Sequence, residues 1–267
     1  MTDITVIILV GKEELHIARC LEKLAALEPR EVIVVESQKG DRTHEIAVAH
    51  GATCVWHDWP GNQAAQFNWI LKRLEIRDKR LDKEDWILRL DADEYLEDDT
   101  IEELKRLVTP GGLPPDVTSL SLSLARCFCG RRIRFGNPDV VLVRAFRFGY
   151  GRSTQSEMDE RIETTSGRCY HLRGKFVDDS LMPMDEWREK HRGYAKREAK
   201  MALAGCANPN KRAYYRLPPY LRAFAYFAYR YFFRLGFLDG RAGWMWHFWQ
   251  GLWYRLIVDK EIRGKRN

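Results

Sequence analysis

The sequence lacks the features that would assign it at once to several large classes of protein. Its six cysteines include no C-x-x-C pair, and the chain contains neither a P-loop nor a G-x-G-x-x-G fingerprint. The cysteine spacing favours reduced thiols, as in a cytoplasmic protein, over a disulfide framework or a zinc site. The missing glycine-rich loops argue against P-loop nucleotide-binding proteins and dinucleotide-binding enzymes.

Signals for crossing a membrane or for secretion are also missing. The longest uncharged run of the C-terminal region covers only residues 242–254, whereas a spanning helix needs about 20 apolar residues. The first ten residues show no basic segment and no cleavage signal. We therefore expect neither a transmembrane helix nor a secretion signal.

What the sequence does have is an uneven distribution of charge and aromatic residues. Its 267 residues carry a net charge of +6, and the 45% of hydrophobic residues suffice for a normal core. Residues 211–267 hold 12 Lys and Arg against three Asp and Glu, and 17 of the 32 aromatic residues. We therefore predict a globular domain at 1–210 and a basic, aromatic helical tail at 211–267, which favours an anionic partner.

Strand and helix patterns alternate over the first 100 residues. Such alternation is typical of an α/β fold with a mostly parallel sheet flanked by helices, whose ligands bind at the carboxyl ends of the strands. A breaker at 110–115 divides the domain into halves at about 1–110 and 111–210. Apolar runs predict buried strands at 5–10, 32–35, 53–57 and 86–90, with helices between them, strand-like patterns over 118–148 and a helix at 185–203.

Three carboxylates, those of Asp91, Asp93 and Glu94, follow the fourth strand directly. In extended backbone Asp91 and Asp93 point to the same side, and hard oxygen ligands in this pattern suit Mg²⁺ or Mn²⁺ bound together with substrate phosphates. Such a cation would neutralise a departing diphosphate. The alternative is the N-terminus of a helix, which we prefer for the later acids at 97–99.

A second acid, Glu36, ends the second strand, and Asp41 follows in a polar turn. Carboxylates at strand ends can hold a ribose or the edge of a base. From the residues alone, a helix-capping role for Asp41 is an equally good interpretation.

Several motifs resemble family 2 glycosyltransferases of the GT-A fold, most closely the bacterial branch that builds lipopolysaccharide core and surface polysaccharide. Residues 90–94 match the D-A-D-E motif of that family well. Lys12, Glu36 and Arg42 stand where the family usually has Asn, Asp and Gly. Weaker likenesses lie at 8–14 (N-E-E turn), 36–43 (D-S-x-S-x-D-G-T), 64–68 (A-A-Q-R-N), 157–160 (acidic acceptor motif), 179–198 (the helix beyond it), 235–240 and 250–254.

The resemblance implies an inverting transfer of a sugar from a nucleotide-diphosphate donor, with a UDP-sugar expected, to an acceptor hydroxyl. Asp93 would ligate Mn²⁺ or Mg²⁺, and Asp159 or Glu160 would be the general base. The alternative for these two acids is that both only pair with nearby arginines. Residues implied in binding the donor are Val10 and Glu36 at the base, Asp91 at the ribose, and Asp41, Gln66 and Asn68 around them.

Three further side chains are candidates with an open alternative. Arg132 and Arg134 share one face of a predicted strand, where they could meet donor phosphates or an anionic acceptor, or pair with local acids. His171 could complete the metal coordination, and a structural role is its alternative. We expect His191 to pack against its neighbours, and contact with the acceptor or a phosphate is its alternative.

The tail combines aromatic residues at helical spacing with interspersed arginines. This combination favours the interface of an anionic membrane, so we predict peripheral attachment to the cytoplasmic face of the plasma membrane. The alternative is that the aromatic residues pack on the domain or in a dimer interface. The residues concerned are Phe224, Phe227, Tyr231 and Leu235, with Arg222, Arg230 and Arg234 between them.

The sequence thus favours a membrane-associated glycosyltransferase that acts on a lipid-linked or oligosaccharide acceptor in bacterial lipopolysaccharide or surface polysaccharide synthesis, without a nucleic acid partner. One alternative is a sugar nucleotidyltransferase, whose basic glycine-rich turn fits Glu13 and Glu14 poorly. Another is a non-enzymatic binder of membranes or nucleic acid, which would not need the acids after the fourth strand.

Overall fold

The computed structural model describes residues 2–77, 81–137, 140–154, 160–205 and 209–265. The chain forms two compact units. The first comprises residues 1–125 and 139–180, and the second comprises residues 126–138 and 181–267.

The first unit alternates strands and helices over its N-terminal half, as the sequence predicts. The acids at 98–99 lie in the first turn of a helix, which is the position preferred for them above. The first unit begins with β1 (Thr2–Val10), α1 (Ile17–Ala25), β2 (Pro29–Glu36), α2 (Thr43–Ala49), β3 (Thr53–Trp56), α3 (Gln63–Arg77), β4 (Trp86–Asp91), β5 (Glu94–Leu96), α4 (Asp98–Leu107), and β6 (Val117–Phe128), which continues into the second unit. After β7 (Arg131–Ile133), which belongs to the second unit, the first unit resumes with β8 (Val141–Arg147), β9 (Gly151–Ser153), β10 (Ile162–Thr164) and β11 (Arg168–Asp179).

A mixed sheet runs through the first unit in the order β3-β2-β1-β4-β8-β6-β11-β5. Strand β1 pairs in parallel with β2 and β4, and β2 pairs in parallel with β3. Strand β8 is antiparallel to both β4 and β6, and β5 is antiparallel to β11. The predicted α/β fold is confirmed, and its sheet is parallel over β3, β2, β1 and β4 and antiparallel where β8 and β5 pair.

Two hydrophobic clusters cover the two faces of the parallel strands. Along β1, Ile4, Val6 and Ile8 belong to the cluster that includes α1, whereas Ile7 and Leu9 belong to the cluster that includes α3. A strand buried on both faces needs a continuous apolar run. This requirement is why the sequence locates these strands so directly.

The second unit is built mainly from helices. Helix α5, which the sequence placed in the acceptor half, belongs here because its buried Ala195 and Ala199 pack against Tyr254 and Val258 of the tail. Besides β7, the second unit contains α5 (Met184–Leu203), α6 (Pro209–Arg216), α7 (Leu221–Ala228), a π-helical turn (Tyr229–Phe233), a 3₁₀ turn (Gly236–Asp239), α8 (Gly240–Trp246), a second π-helical turn (His247–Trp253) and α9 (Tyr254–Gly264).

Within the described ranges, the helices are too short or too polar to cross a lipid bilayer.

Two of the arginines that the sequence assigned to a membrane surface lie inside the second unit. Arg222 forms a buried ion pair with Asp259. Arg230 is also buried, and its Nε donates to the Gly136 carbonyl at 2.9 Å. The expectation that these two arginines meet lipid headgroups is therefore wrong, since their charges serve the interior of the unit.

A buried histidine packs against the 3₁₀ turn of the tail. His247 is fully buried between two close glycines, Gly136 and Gly236. A Cβ atom at either glycine would lie 2.4 Å from the imidazole ring. These positions therefore accept only glycine without a shift of His247.

We expect the second unit to lose stability between pH 7 and pH 5 because of His247. Burial, followed by the neighbouring charge of Arg230, lowers the pKa of His247 from 6.5 to about 4. As the pH falls, the unfolded chain therefore takes up a proton there before the folded chain does. The stability that neutral His247 contributes is complete above pH 6.5 and is lost toward pH 4, by about 2 kcal/mol at pH 5.

Urea unfolding followed by tryptophan fluorescence at the two pH values measures this loss. The His247→Gln variant should lose about 2 kcal/mol less than the native chain over the same interval. An identical pH dependence in both chains would contradict the assignment.

Candidate active site

The parallel strands end together at one edge of the sheet, and the candidate residues stand on these ends. Val10 of β1 is in register with Glu36 of β2, and the preceding residue of β1 is in register with Asp91 of β4. In open α/β sheets, ligands bind outside this edge. The structure therefore brings Val10, Glu36 and Asp91 side by side, as the sequence predicts.

Asp91 and Asp93 flank a tight turn between β4 and β5, and both are half-buried. The Asp91 Oδ1 atom is buried and has no hydrogen-bond donor among the described residues. The backbone carbonyl of Asp93 accepts a hydrogen bond of 3.0 Å from the N–H of Asp179, which ties this turn to the end of β11. A buried carboxylate oxygen without a donor is costly, so its environment fits a cation or a ligand hydroxyl.

Glu94, the third acid of the cluster, has a structural position. Its side chain is buried, forms an ion pair with Arg144 and accepts the Asp91 N–H at 3.0 Å. Burial raises the pKa of Glu94, the charge of Arg144 lowers it, and the charges of Asp91 and Asp93 raise it. Glu94 therefore fixes the turn that presents the two aspartates.

Glu160 lies on the α3 side of the sheet, beside a buried arginine. Its Oε2 atom is 3.7 Å from Nη2 of Arg89, and the same nitrogen is 3.7 Å from Oδ1 of Asp91. The backbone N–H groups of Gln63 and Ala64, at the start of α3, also donate to Glu160. Burial nevertheless raises the pKa of Glu160 above its usual value. Arg89 thus links the predicted base to the acidic cluster, whereas Asp159 lies outside the described residues.

Glu36 is buried at the end of β2 and accepts a hydrogen bond from Nδ1 of His44 at 2.9 Å. Cys54 of β3 completes a small cluster with these two residues. Burial, and next the charge of Glu36, raises the pKa of Cys54 to about 12, so this thiol stays protonated. The carboxylate that the sequence places at the base is therefore held in one orientation by its neighbours.

Two of the three remaining donor-binding candidates, Asp41 and Asn68, form hydrogen bonds within the fold itself. The Asp41 carboxylate accepts hydrogen bonds from the Thr43 hydroxyl at 2.8 Å and the Glu14 N–H at 3.2 Å. The Asn68 side chain both donates to and accepts from the backbone of Ser153 at 2.8 Å. Gln66 is almost fully buried, and its Nε2 has no acceptor among the described residues. Their donor contacts remain predictions.

The structure does not bring His171 together with the two aspartates. His171 lies on β11, where its ring nitrogens are 3.2 and 3.4 Å from the hydroxyls of Ser121 and Ser123. On the same strand, Asp178 pairs with Glu94. Seven residues of extended strand, at about 3.3 Å per residue, separate His171 from that point by roughly 20 Å.

The remaining predicted residues belong to the second unit. Arg132 lies on β7 in register with Cys127, and Arg134 follows the strand, with its backbone N–H donating to Asp239 at 2.9 Å. The contacts of these arginines with phosphates remain predictions. The His191 ring stacks on Trp187, with centroids 3.5 Å apart, so its packing role is confirmed.

Sequence reasoning missed Arg89 and His44. Arg89 interrupts the apolar run of β4, and a cation within a buried strand is a signal that it has acidic partners nearby. His44 gave no such signal, because only the fold of α2 against β2 brings its imidazole to Glu36.

Comparisons with known proteins agree with this geometry. Residues 5–112 match the family model described as glycosyl transferase family 2. The matched segment contains Glu36 and the whole acidic turn at 91–94. The likeness to this family therefore lies in the N-terminal part of the chain. No match was found among curated proteins.

Solved structures resemble the fold. A mannosyltransferase from Pyrobaculum calidifontis, in complex with GDP-Man and Mn²⁺, covers 100% of this chain and 88% of its own at 15% identity and a TM-score of 0.52. A glucosyl-3-phosphoglycerate synthase from Mycobacterium tuberculosis, in complex with Mn²⁺ and UDP, covers 47% of this chain at 20% identity and a TM-score of 0.32. This chain spans only 44% of that synthase. The likeness to the mannosyltransferase, over the whole chain, confirms the GT-A type of fold.

We expect Arg144→Met to destabilise the first unit, because Glu94 would remain buried without its cation. Removing one partner of a buried ion pair costs about 3 kcal/mol. Urea unfolding of the native and variant chains measures the difference. The double variant Arg144→Met with Glu94→Gln removes the uncompensated charge and should regain part of the loss. Equal destabilisation in the single and double variants would contradict this account.

Proposed function

We propose that the protein is an inverting, metal-dependent glycosyltransferase that moves a sugar from a nucleotide-diphosphate donor, a UDP-sugar in the first instance, to a saccharide acceptor. The observation that carries the proposal is the edge formed by Val10, Glu36 and Asp91, with Asp93 in the adjoining turn. Two carboxylates at the end of a buried strand suit a divalent cation bound together with an anionic ligand. The family 2 match over 5–112 supports the same reaction class.

The nucleoside end of the donor would lie over the ends of β1 and β2. Glu36, held by His44, offers a fixed carboxylate oxygen to an N–H group of the base. The buried Oδ1 of Asp91 offers an acceptor to a ribose hydroxyl or a ligand atom to a cation. The nucleotide would thus be oriented by groups that the sheet already holds in place.

Asp93, together with Asp91, would hold Mn²⁺ or Mg²⁺, since both offer hard oxygen ligands from a turn that Glu94 and Arg144 fix. When bound, the cation supplies charge neutralisation for the departing diphosphate. The surrounding protein keeps the two carboxylates half-buried, where electrostatic attraction is stronger than in water.

The acceptor hydroxyl would lose its proton to Glu160 or Asp159 as it attacks the anomeric carbon. Glu160 is well placed for such a role, since its raised pKa makes it a better base than an ordinary carboxylate while Arg89 favours its ionised form. One displacement of this kind inverts the anomeric configuration. Glu160 and Arg89 also line a cavity of about 190 Å³ between β8 and β10.

The finer parts of the proposal concern the acceptor and the place of action. We propose a lipid-linked saccharide as acceptor, at the cytoplasmic face of a bacterial plasma membrane, in the synthesis of lipopolysaccharide or surface polysaccharide. The basic, aromatic tail supports this placement, since it holds 17 of the 32 aromatic residues of the chain.

The acidic pair is tested by Asp93→Asn and Asp91→Asn. Each substitution should lower Mn²⁺-dependent release of nucleoside diphosphate from donor nucleotide sugars by about a hundredfold or more, because the ligand charge is lost while the shape is kept. Asp98→Asn is the matched control, since this acid lies nearby in the first turn of α4 and is 89% exposed. Release of pyrophosphate would instead identify a nucleotidyltransferase, and full activity in Asp93→Asn would contradict the proposal.

The base is tested by Glu160→Gln and, separately, Asp159→Asn. Loss of the base should lower transfer to an acceptor by about 10²–10⁴-fold. Binding of donor with Mn²⁺, measured by calorimetry, should stay unchanged. Glu163→Gln, an exposed acid on β10, controls for the loss of charge. Unchanged transfer in both Glu160→Gln and Asp159→Asn would exclude these acids as the base.

A further inference from the structure

An apolar and unusually exposed segment links the first π-helical turn to the 3₁₀ turn of the second unit. We name residues 232–238 the aromatic tip. Of its seven residues, all but Gly236 are exposed, with Phe233 at 79%, Phe232 at 57% and Leu238 at 53%. An element packed on one face would bury about half of its side chains. The tip therefore exposes more apolar surface than a segment packed along one face would.

The base of the tip is rigid, in contrast to its exposed surface. The Asp239 carboxylate accepts hydrogen bonds of 2.9 Å from the backbone N–H groups of Arg134 and Phe135. Arg230 is buried below the tip, and His247 packs against Gly236. Because these contacts already order the turn, binding of a ligand to its apolar side chains would cost little further conformational entropy.

The charges around the tip have one sign at the surface. Arg234 within the tip and Arg241 just after it are exposed. Asp239, the acid between them, is only half-buried, but its carboxylate already accepts two backbone N–H groups. The exposed Trp244 stands on the following helix. An apolar projection with cations at its edge complements an anionic lipid surface.

We infer that the aromatic tip enters the headgroup and acyl boundary of an anionic lipid leaflet. Phe232, Phe233 and Leu238 would reach the acyl chains, and Arg234 and Arg241 would lie among the headgroups. This inference rests on the proposed function in one respect, since it names the surface from which a lipid-linked acceptor would be taken. The headgroup contacts thus belong to Arg234 and Arg241 and not to Arg222 and Arg230, because the latter two are buried.

A second copy of the chain is the other occupant to consider, and the geometry favours it less. An interface between two copies needs a complementary patch that packs on one side of the segment. The tip instead combines exposed apolar side chains with exposed cations at Arg234 and Arg241, and this combination suits an anionic lipid surface.

The experiment measures co-sedimentation of the full chain with vesicles of phosphatidylcholine, with and without phosphatidylglycerol, at low and high salt. The native chain should bind the vesicles that contain phosphatidylglycerol. Phe232→Ser with Phe233→Ser should weaken this binding by about tenfold or more, because aromatic area no longer enters the leaflet. Arg234→Gln with Arg241→Gln should weaken it by about thirtyfold at low salt and much less at high salt, since headgroup attraction is screened.

Ile76→Ser is the matched control, because Ile76 is 73% exposed on α3 of the first unit. This variant should bind like the native chain. Failure of the native chain to bind phosphatidylglycerol vesicles, or equal binding by the native chain and both tip variants, would overturn the inference. Analytical ultracentrifugation that shows a native dimer and a monomeric Phe232→Ser/Phe233→Ser variant would also overturn it, in favour of a second copy.

Donor hydrolysis in solution separates this inference from the proposed function. Both tip variants should hydrolyse donor like the native chain without vesicles, which also shows that they are folded. Asp93→Asn should bind vesicles normally while losing hydrolysis. If the native chain binds vesicles through the tip but releases no nucleoside diphosphate, the proposed function fails and the membrane contact stands.

Discussion

Repulsion between carboxylates at the end of a buried strand is the constraint on which the candidate site depends. Strand β4 pairs with β1 as far as Asp91, so the sheet fixes the backbone position of this residue. The fold relieves part of the repulsion by pairing Glu94 with Arg144 and by placing Arg89 below Asp91. What remains is a pair of half-buried aspartates whose charge a divalent cation would balance, and that remaining charge underlies the proposed chemistry.

Buried arginines have a comparable role in both units. Arg89 and Arg144 hold acids of the sheet, while Arg222 and Arg230 hold groups inside the second unit. Each is costly to bury, and each has at least one carboxylate, amide or carbonyl partner. As a result, the basic excess of the tail overstates the positive charge at its surface, although Arg234 and Arg241 beside the aromatic tip are among its exposed cations.

The two units suggest how chemistry and location could be divided within one chain. The first unit contains the edge formed by Val10, Glu36 and Asp91, together with Glu160. The second unit exposes the apolar segment at 232–238 and keeps it ordered through Asp239 and His247. Because these features lie in separate compact units, substitutions in one can be made without disturbing the other, which gives the two proposals independent tests.

The sequence by itself determined the strands β1 to β4 and the carboxylates at their ends, because strands buried on both faces require continuous apolar runs and the residues after them must meet at one edge. It also located the D-A-D-E turn. Only the tertiary structure decided which polar groups face one another: Asn68 is bound to Ser153, His171 lies far along β11, and His44 reaches Glu36. It likewise decided that Arg222 is buried while Phe233 is exposed. Helical spacing gives the face of a residue but not what packs against that face, since packing is set by contacts between residues far apart in the chain.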